Sequence, residues 1–150
     1  MEGKNNVLIS EQVLQVPYNY SAGPVASRFL VSLRDERKIL GIRCNTCGKV
    51  YVPPRGTCGA CFCQLEDWVE VGPEGTLSNF TVINYPEPVH PASAPFALGI
   101  ILLSGADTGL VHVVRAPLEK IKIGMRLKPV FTKKRRGHIL DIEGFEPVGI

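Results

Sequence analysis

The spacing of apolar residues changes several times along this chain, and each change predicts a different kind of element. Val7 to Val16 mixes Val, Leu and Ile with polar positions so that the two-residue and the 3.6-residue periods each half-fit; it predicts a short element of unassigned type. Pro17-Tyr18-Asn19-Tyr20 follows as an extended or turn segment. From Ser21 to Lys38 the helical period takes over, with Val25, Phe29 and Leu33 on one i, i+4 line and Ala26 and Leu30 flanking it. Ser21 is placed to cap this helix, Pro24 suits its first turn, and Arg34, Arg37 and Lys38 suit its last turns, with Gly41 as the stop.

After the helix the chain turns to β texture. Ile42-Arg43 leads into a cysteine pair, Val50-Tyr51-Val52 leaves it as a strand, and Pro53-Pro54-Arg55-Gly56 turns the chain back to a second pair. From Trp68 on, short apolar runs alternate with turns. Trp68 to Val71, Thr76 to Tyr85, Phe96 to Leu103, Leu110 to Ala116, Met125 to Thr132 and His138 to Phe145 read as strands. Gly72 to Gly75 and Gly105 to Gly109 are turns; the run from Pro86 to Pro95 holds four prolines (Pro86, Pro88, Pro91, Pro95) and predicts a loop. Pro117 to Ile123 crosses over with about one helical turn. Five strands in about 80 residues, with a crossover between the third and fourth, fit an OB-type barrel. The expected fold is mainly β: an N-terminal helical segment over 1–40, a rubredoxin-like zinc ribbon over 41–66, and a five-stranded OB-fold barrel over 67–150.

The chemistry of the ribbon is legible in the cysteines. Cys44-Asn45-Thr46-Cys47 and Cys58-Gly59-Ala60-Cys61 are two Cys-x-x-Cys pairs ten residues apart. Each pair sets two sulfurs on one side of a tight corner, and two facing corners make a tetrahedron of thiolates. Gly48 follows the first corner, where a positive φ is wanted, whereas Phe62 follows the second, so the two knuckles are not identical. Cys44, Cys47, Cys58 and Cys61 are the expected ligands of one structural zinc. Free thiols or disulfides, and a rubredoxin-like iron centre, are the competing readings. Four thiolates leave no coordination position for water or substrate, and no His lies between Val7 and Pro88, so the metal has a folding role. Cys63, the odd cysteine, reads first as a small buried residue and second as a swapped ligand or reactive thiol.

Composition narrows the function classes. With 150 residues, 45% hydrophobic and 21% charged, the chain is expected to be globular and soluble. No apolar run approaches the length of a membrane span. The start, Met1-Glu2-Gly3-Lys4-Asn5-Asn6, lacks a signal-peptide layout, and metal-type cysteine spacing points to a reducing cytoplasm. The formal charge of +3 falls to +1 once four thiolates and one Zn²⁺ (net −2) are counted, too little to argue for nucleic acid from bulk charge.

These features together resemble the family of small bacterial and archaeal zinc-ribbon/OB-fold proteins, long catalogued as a domain of unknown function, that accompany thiolases. The resemblance runs over about residues 15–148. It rests on Arg43-Cys44-Asn45-Thr46-Cys47-Gly48-Lys49, Tyr51-Val52-Pro53-Pro54-Arg55 and Cys58-Gly59-Ala60-Cys61-Phe62. Glu74-Gly75-Thr76-Leu77, Ile123-Gly124-Met125-Arg126-Leu127 and Gly144-Phe145-Glu146-Pro147 complete it. The second knuckle departs from the family in lacking a proline. The resemblance implies a noncatalytic subunit that binds a thiolase-fold or aldolase partner and helps hold acyl-CoA. Acetoacetyl-CoA and isoprenoid-precursor formation, aromatic degradation and sterol side-chain breakdown are known settings.

The remaining side chains agree with that class without selecting within it. One unassigned Cys, with no Cys–His arrangement around it, and scattered carboxylates give no catalytic residues. Lys133-Lys134-Arg135-Arg136 is the densest charge run, either a solvated hairpin tip or a site for CoA phosphates, with His90 in the proline-rich loop as a second candidate ligand contact. His112, alternating with Leu110 and Val114, reads as a packed or edge-strand residue. Phe29 and Leu33 are candidates for docking the partner, on the expectation that the ribbon has little core to cover the helix stripe. The alternative function is a nucleic-acid-binding module, since ribbons and OB barrels both serve that role. It is disfavoured by 7% aromatics and by basic residues gathered at one tip, so no nucleic acid and no membrane partner is expected.

Overall fold

The computed structural model describes residues 8–149. The stretch 8–20 has no regular secondary structure, and Leu8, Ile9, Val13, Leu14, Val16, Tyr18 and Tyr20 are all exposed, so its apolar residues join no core; Val7 lies outside the described residues. One helix, α1 (Gly23–Asp35), follows. It is shorter than the pattern predicted at both ends. Ser21 accepts the Gly23 N–H at 3.2 Å but sits one residue before the cap position, which Ala22 occupies. At the far end Arg37 turns left-handed (φ 56°) and Lys38 N–H bonds back to Ser32 O, so the chain leaves the helix well before Gly41.

Gly41 instead lies inside β1 (Ile39–Arg43), the centre of a three-stranded antiparallel sheet with β2 (Val50–Tyr51) and β3 (Asp67–Val71) at its edges. β3 pairs with β1 over five positions, from Ile39 opposite Val71 to Arg43 opposite Asp67. Sheet pairing thus crosses the expected 66/67 boundary.

The barrel itself comprises β4 (Gly75–Ile83), β5 (Phe96–Leu103), β6 (Leu110–Val114), β7 (Arg126–Phe131) and β8 (Ile142–Pro147), closed in the order β4-β5-β6-β8-β7. All contacts are antiparallel except one, the parallel β6–β8 pair at Val114 and Phe145; β4 and β7 meet at Gly75–Leu127 and Thr76–Arg126 to close the cylinder. The crossover carries a 3₁₀ turn at Leu118–Lys120. The last strand begins later than expected, because Ile139–Asp141 forms a second 3₁₀ turn.

The barrel and the helix share one core. Leu77, Ala97, Ile101, Leu103, Leu110, Val114, Leu127, Ile142 and Phe145 fill the cylinder, and Phe29, Leu33, Ile39, Val50, Val52 and Val71 belong to the same buried cluster. Gly99 is required inside this packing: a Cβ there would lie 2.6 Å from Leu77 and 2.7 Å from Val114. The β5–β6 turn stitches the two units together at the backbone. Val50 N–H donates to the Asp107 carboxylate at 2.8 Å and Asp107 N–H to Val50 O at 2.9 Å. Val52 N–H donates to the Thr108 hydroxyl, which donates in turn to Val52 O. Asp107 and Thr108 thus serve β2 and the residue after it as a neighbouring strand would, and the polar groups of Val50 and Val52 stay paired without one.

Candidate metal centre and accessory surfaces

The two knuckles are built alike. In the first, Gly48 N–H returns to Cys44 O at 2.8 Å and Cys44 N–H donates to Lys49 O; in the second, Phe62 N–H returns to Cys58 O at 3.1 Å and Cys58 N–H donates to Cys63 O. Backbone amides point at the leading sulfurs: Cys47 N–H at Cys44 Sγ (3.5 Å), and Ala60 and Cys61 N–H at Cys58 Sγ (both 3.4 Å). The sulfurs of Cys44, Cys47, Cys58 and Cys61 all lie within 4.8 Å of one another, with Cys47 and Cys58 at 3.8 Å. A tetrahedral ion with metal–sulfur bonds of about 2.3 Å needs sulfurs about 3.8 Å apart, so the donor set and its spacing fit a metal ion.

The electrostatics point the same way. Cys58 is drawn down to about 5, first by the Tyr51 hydroxyl at 3.3 Å and then by the Cys61 and Ala60 amides. The Cys47 amide is the main cause of a lowered Cys44. Cys61 is pushed up to about 12, chiefly by its hydrogen bond with Cys47 and then by burial, because thiolates this close cannot all carry charge until a cation neutralises them. Tyr51 Oη also accepts the Gly59 N–H at 3.1 Å, which orients the hydroxyl toward Cys58. The sequence showed Tyr51 as a strand residue within a family motif, with no role at the sulfurs; its position across the turn from Cys58 is a product of the fold. Cys63 is half-buried beside the cluster, its sulfur 3.5 Å from Cys44 and 3.7 Å from the Thr46 hydroxyl.

Phe29 and Leu33 are displaced from their expected role. Leu33 is fully buried and Phe29 is 4% exposed, both in the core shared with the barrel, so neither side chain is free to dock a partner. The expectation failed because the helix stripe is covered by the ribbon sheet and barrel together. Arg28, on another face of α1, lies 4.5 Å over the Trp68 ring.

The basic run is a shaped loop rather than a free hairpin tip. Asp141, 3% exposed, accepts the backbone N–H groups of Arg136 (2.9 Å), Gly137 (2.7 Å) and His138 (3.2 Å). Burial alone would raise its pKa, but the three amides outweigh it and hold the carboxyl below its usual range. Arg135 is spent within the fold, donating to Arg34 O and Thr132 O. Lys133, Lys134 and Arg136 remain exposed, and Lys134 and Arg136 line a surface groove of about 430 Å³ with Thr132, His138, Leu140 and Asp141. His90 lines a different groove, with Pro86, Glu87 and Pro91. Its ring stacks edge-on between Tyr85 and Phe96, half-buried, with Nδ1 buried and unpartnered among the described residues. His112 is packed as read, 4% exposed: Nδ1 accepts the Val113 N–H and Nε2 faces Ile139 O at 3.3 Å.

Comparison with known proteins gives two adjoining matches. Residues 32–63 match the ChsH2 rubredoxin-like zinc ribbon domain and residues 68–132 the ChsH2 C-terminal OB-fold domain. The chain belongs to this zinc-ribbon/OB-fold family. Among family relatives, a DUF35 domain-containing scaffold protein of Methanocaldococcus jannaschii is 26% identical over 67% of this chain and 72% of its own length. The corresponding protein of Methanothermobacter thermautotrophicus is 28% identical over 65% and 74%. A solved DUF35-family protein of unknown function from Sulfolobus solfataricus superposes with a TM-score of 0.60 at 27% identity, over 72% of this chain and 78% of that one. A solved chain described as Ltp2-ChsH2(DUF35) aldolase shares the fold, with a TM-score of 0.62 at 22% identity, over 87% of this chain and all of that one. Among the described residues no helix is long and apolar enough to cross a membrane.

Proposed function

We propose that this chain is a noncatalytic accessory subunit of a thiolase-like enzyme complex, holding one structural zinc and helping a thiolase-fold partner to bind acyl-CoA. The observation that carries the reading is the closed sulfur cluster: four thiolates occupy the tetrahedron and leave the metal no position for substrate or water. Elsewhere among the described residues, the buried titratable side chains Asp141 and His112 are committed to backbone hydrogen bonds, which is in keeping with a noncatalytic role. Relatives named scaffold proteins, and a fold neighbour whose description couples ChsH2(DUF35) with an aldolase, support a role in assembly. Settings that suit such a subunit include a β-oxidation-type thiolase of aromatic degradation and acetoacetyl-CoA formation.

Zinc is favoured over iron by the match to a zinc ribbon. Lys133, Lys134 and Arg136, all exposed, are the groups to meet CoA phosphates; Arg135 supports them from behind. The nucleic-acid reading weakens further on the barrel surface. No Lys or Arg occurs between Arg55 and Arg115, so β4, β5 and β6 offer no cationic groove for a single strand.

The test is thiolytic cleavage or condensation by each subunit separately and together, with acyl-CoA binding measured at low and high salt. The chain alone is expected to turn nothing over and the heteromer to be active. Turnover by the isolated chain, or full activity of the large subunit without it, overturns the reading.

A further inference from the structure

The second knuckle contains a local contradiction. Gly48 and Phe62 occupy matching places, each one residue past the second cysteine of its pair and each returning its N–H to the first cysteine's carbonyl. Both are left-handed, Gly48 at φ 76° and Phe62 at φ 58°. The corner demands that conformation. Glycine adopts it freely, whereas a bulky side chain at such a φ is an outlier. Among the described residues only one other non-glycine has a positive φ, Arg37, which turns the chain out of α1.

Among the described residues no packing compensates Phe62. Its side chain is 80% exposed. A large aromatic held out in water, on a backbone that favours glycine, is better explained by what it meets than by what it stabilises. Its surroundings restrict the partner. The run from Cys58 to Leu65 carries no charge beyond the thiolates, and Arg55, the nearest basic residue in sequence, is engaged with the Tyr51 ring at 5.4 Å. An uncharged aromatic tip suits an apolar protein socket, where rings act as anchors. It does not suit base stacking, which draws on an adjoining positive groove.

We infer that Phe62 is the anchor by which the ribbon plugs into an apolar socket on the thiolase-fold partner, an inference that rests on the accessory-subunit reading. Relief of backbone strain and loss of the anchor then act in opposite directions in one substitution. The experiment titrates full-length chain, wild type, F62G or F62A, into the purified thiolase-fold subunit by calorimetry, with melting temperature and metal content measured on each free chain. F62G is expected to keep its metal and melt at the wild-type temperature or above, yet bind about tenfold or more weakly. F62A is expected to lose the same affinity and keep its metal without any gain in melting temperature. Binding by either variant within about twofold of wild type overturns the proposal. A drop in metal content or melting temperature in F62G overturns it by making the ring structural, and a loss seen only with a single-stranded oligonucleotide makes it a stacking residue. Failure of the wild-type chain to bind the subunit is distinguishable, since it appears before any variant is made; it defeats the accessory-subunit reading and this inference with it.

Discussion

Replacing Asp141 by Asn tests whether one buried carboxylate shapes the basic loop. Oδ1 accepts from Arg136 and Oδ2 from both Gly137 and His138. An amide keeps one oxygen and puts an NH₂ in the other place. In its better orientation it retains Gly137 and His138 and sets two donors face to face at Arg136. One charge-assisted bond is lost and the other two lose their charge; at about 1.5–3 kcal/mol for a hydrogen bond to a charged group, the total comes to about 3 kcal/mol. For a chain of this length that is about 6–12 °C in melting temperature. The pH dependence follows from the lowered carboxyl pKa. A carboxylate whose folded pKa lies below its unfolded value stabilises fully above the unfolded value, about 3.9, and loses that contribution as pH falls through the folded one. Melts of both proteins followed by circular dichroism from pH 7 to pH 3 are therefore expected to show a constant gap down to about pH 5 that closes below about pH 4. The gap between the two proteins is the readout, because both release metal in acid. A gap under about 2 °C at pH 7, or one that widens on acidification, refutes the reasoning.

Leu33→Ala removes a fully buried side chain between helix and barrel and is expected to cost about 3–5 kcal/mol in denaturant unfolding, with metal content retained, since Leu33 lies in the barrel core rather than the cysteine cluster; a cost below about 1 kcal/mol would free the helix for docking after all. Cys47→Ser is expected to lose the metal and unfold the ribbon, whereas Cys63→Ser keeps one zinc per chain by elemental analysis; full zinc in the first variant, or a red iron spectrum in the wild type, contradicts the assignment.

The metal site was legible because its ligands lie close in sequence: two Cys-x-x-Cys turns are local geometry, and their spacing alone implies a four-sulfur cage. Strand and loop identities in the barrel were legible for a related reason, since alternation, Gly-rich turns and the proline run act over a few residues. Their ends shifted where a single residue diverted the chain, as Arg37 does after α1 and the 3₁₀ turn at Ile139–Asp141 does before β8. What tertiary structure alone decided were relations between distant residues. Whether the stripe of Phe29 and Leu33 faces a partner or a core depends on where the ribbon sheet and barrel sit, and no periodicity within the helix encodes that. The Asp107 and Thr108 contacts to β2 span more than 50 residues of sequence, so an ordinary turn pattern hid a strand substitute. Phe62 shows both sides: the sequence marked it as unlike Gly48, but only the backbone angle and its exposure turned that difference into strain at an exposed aromatic.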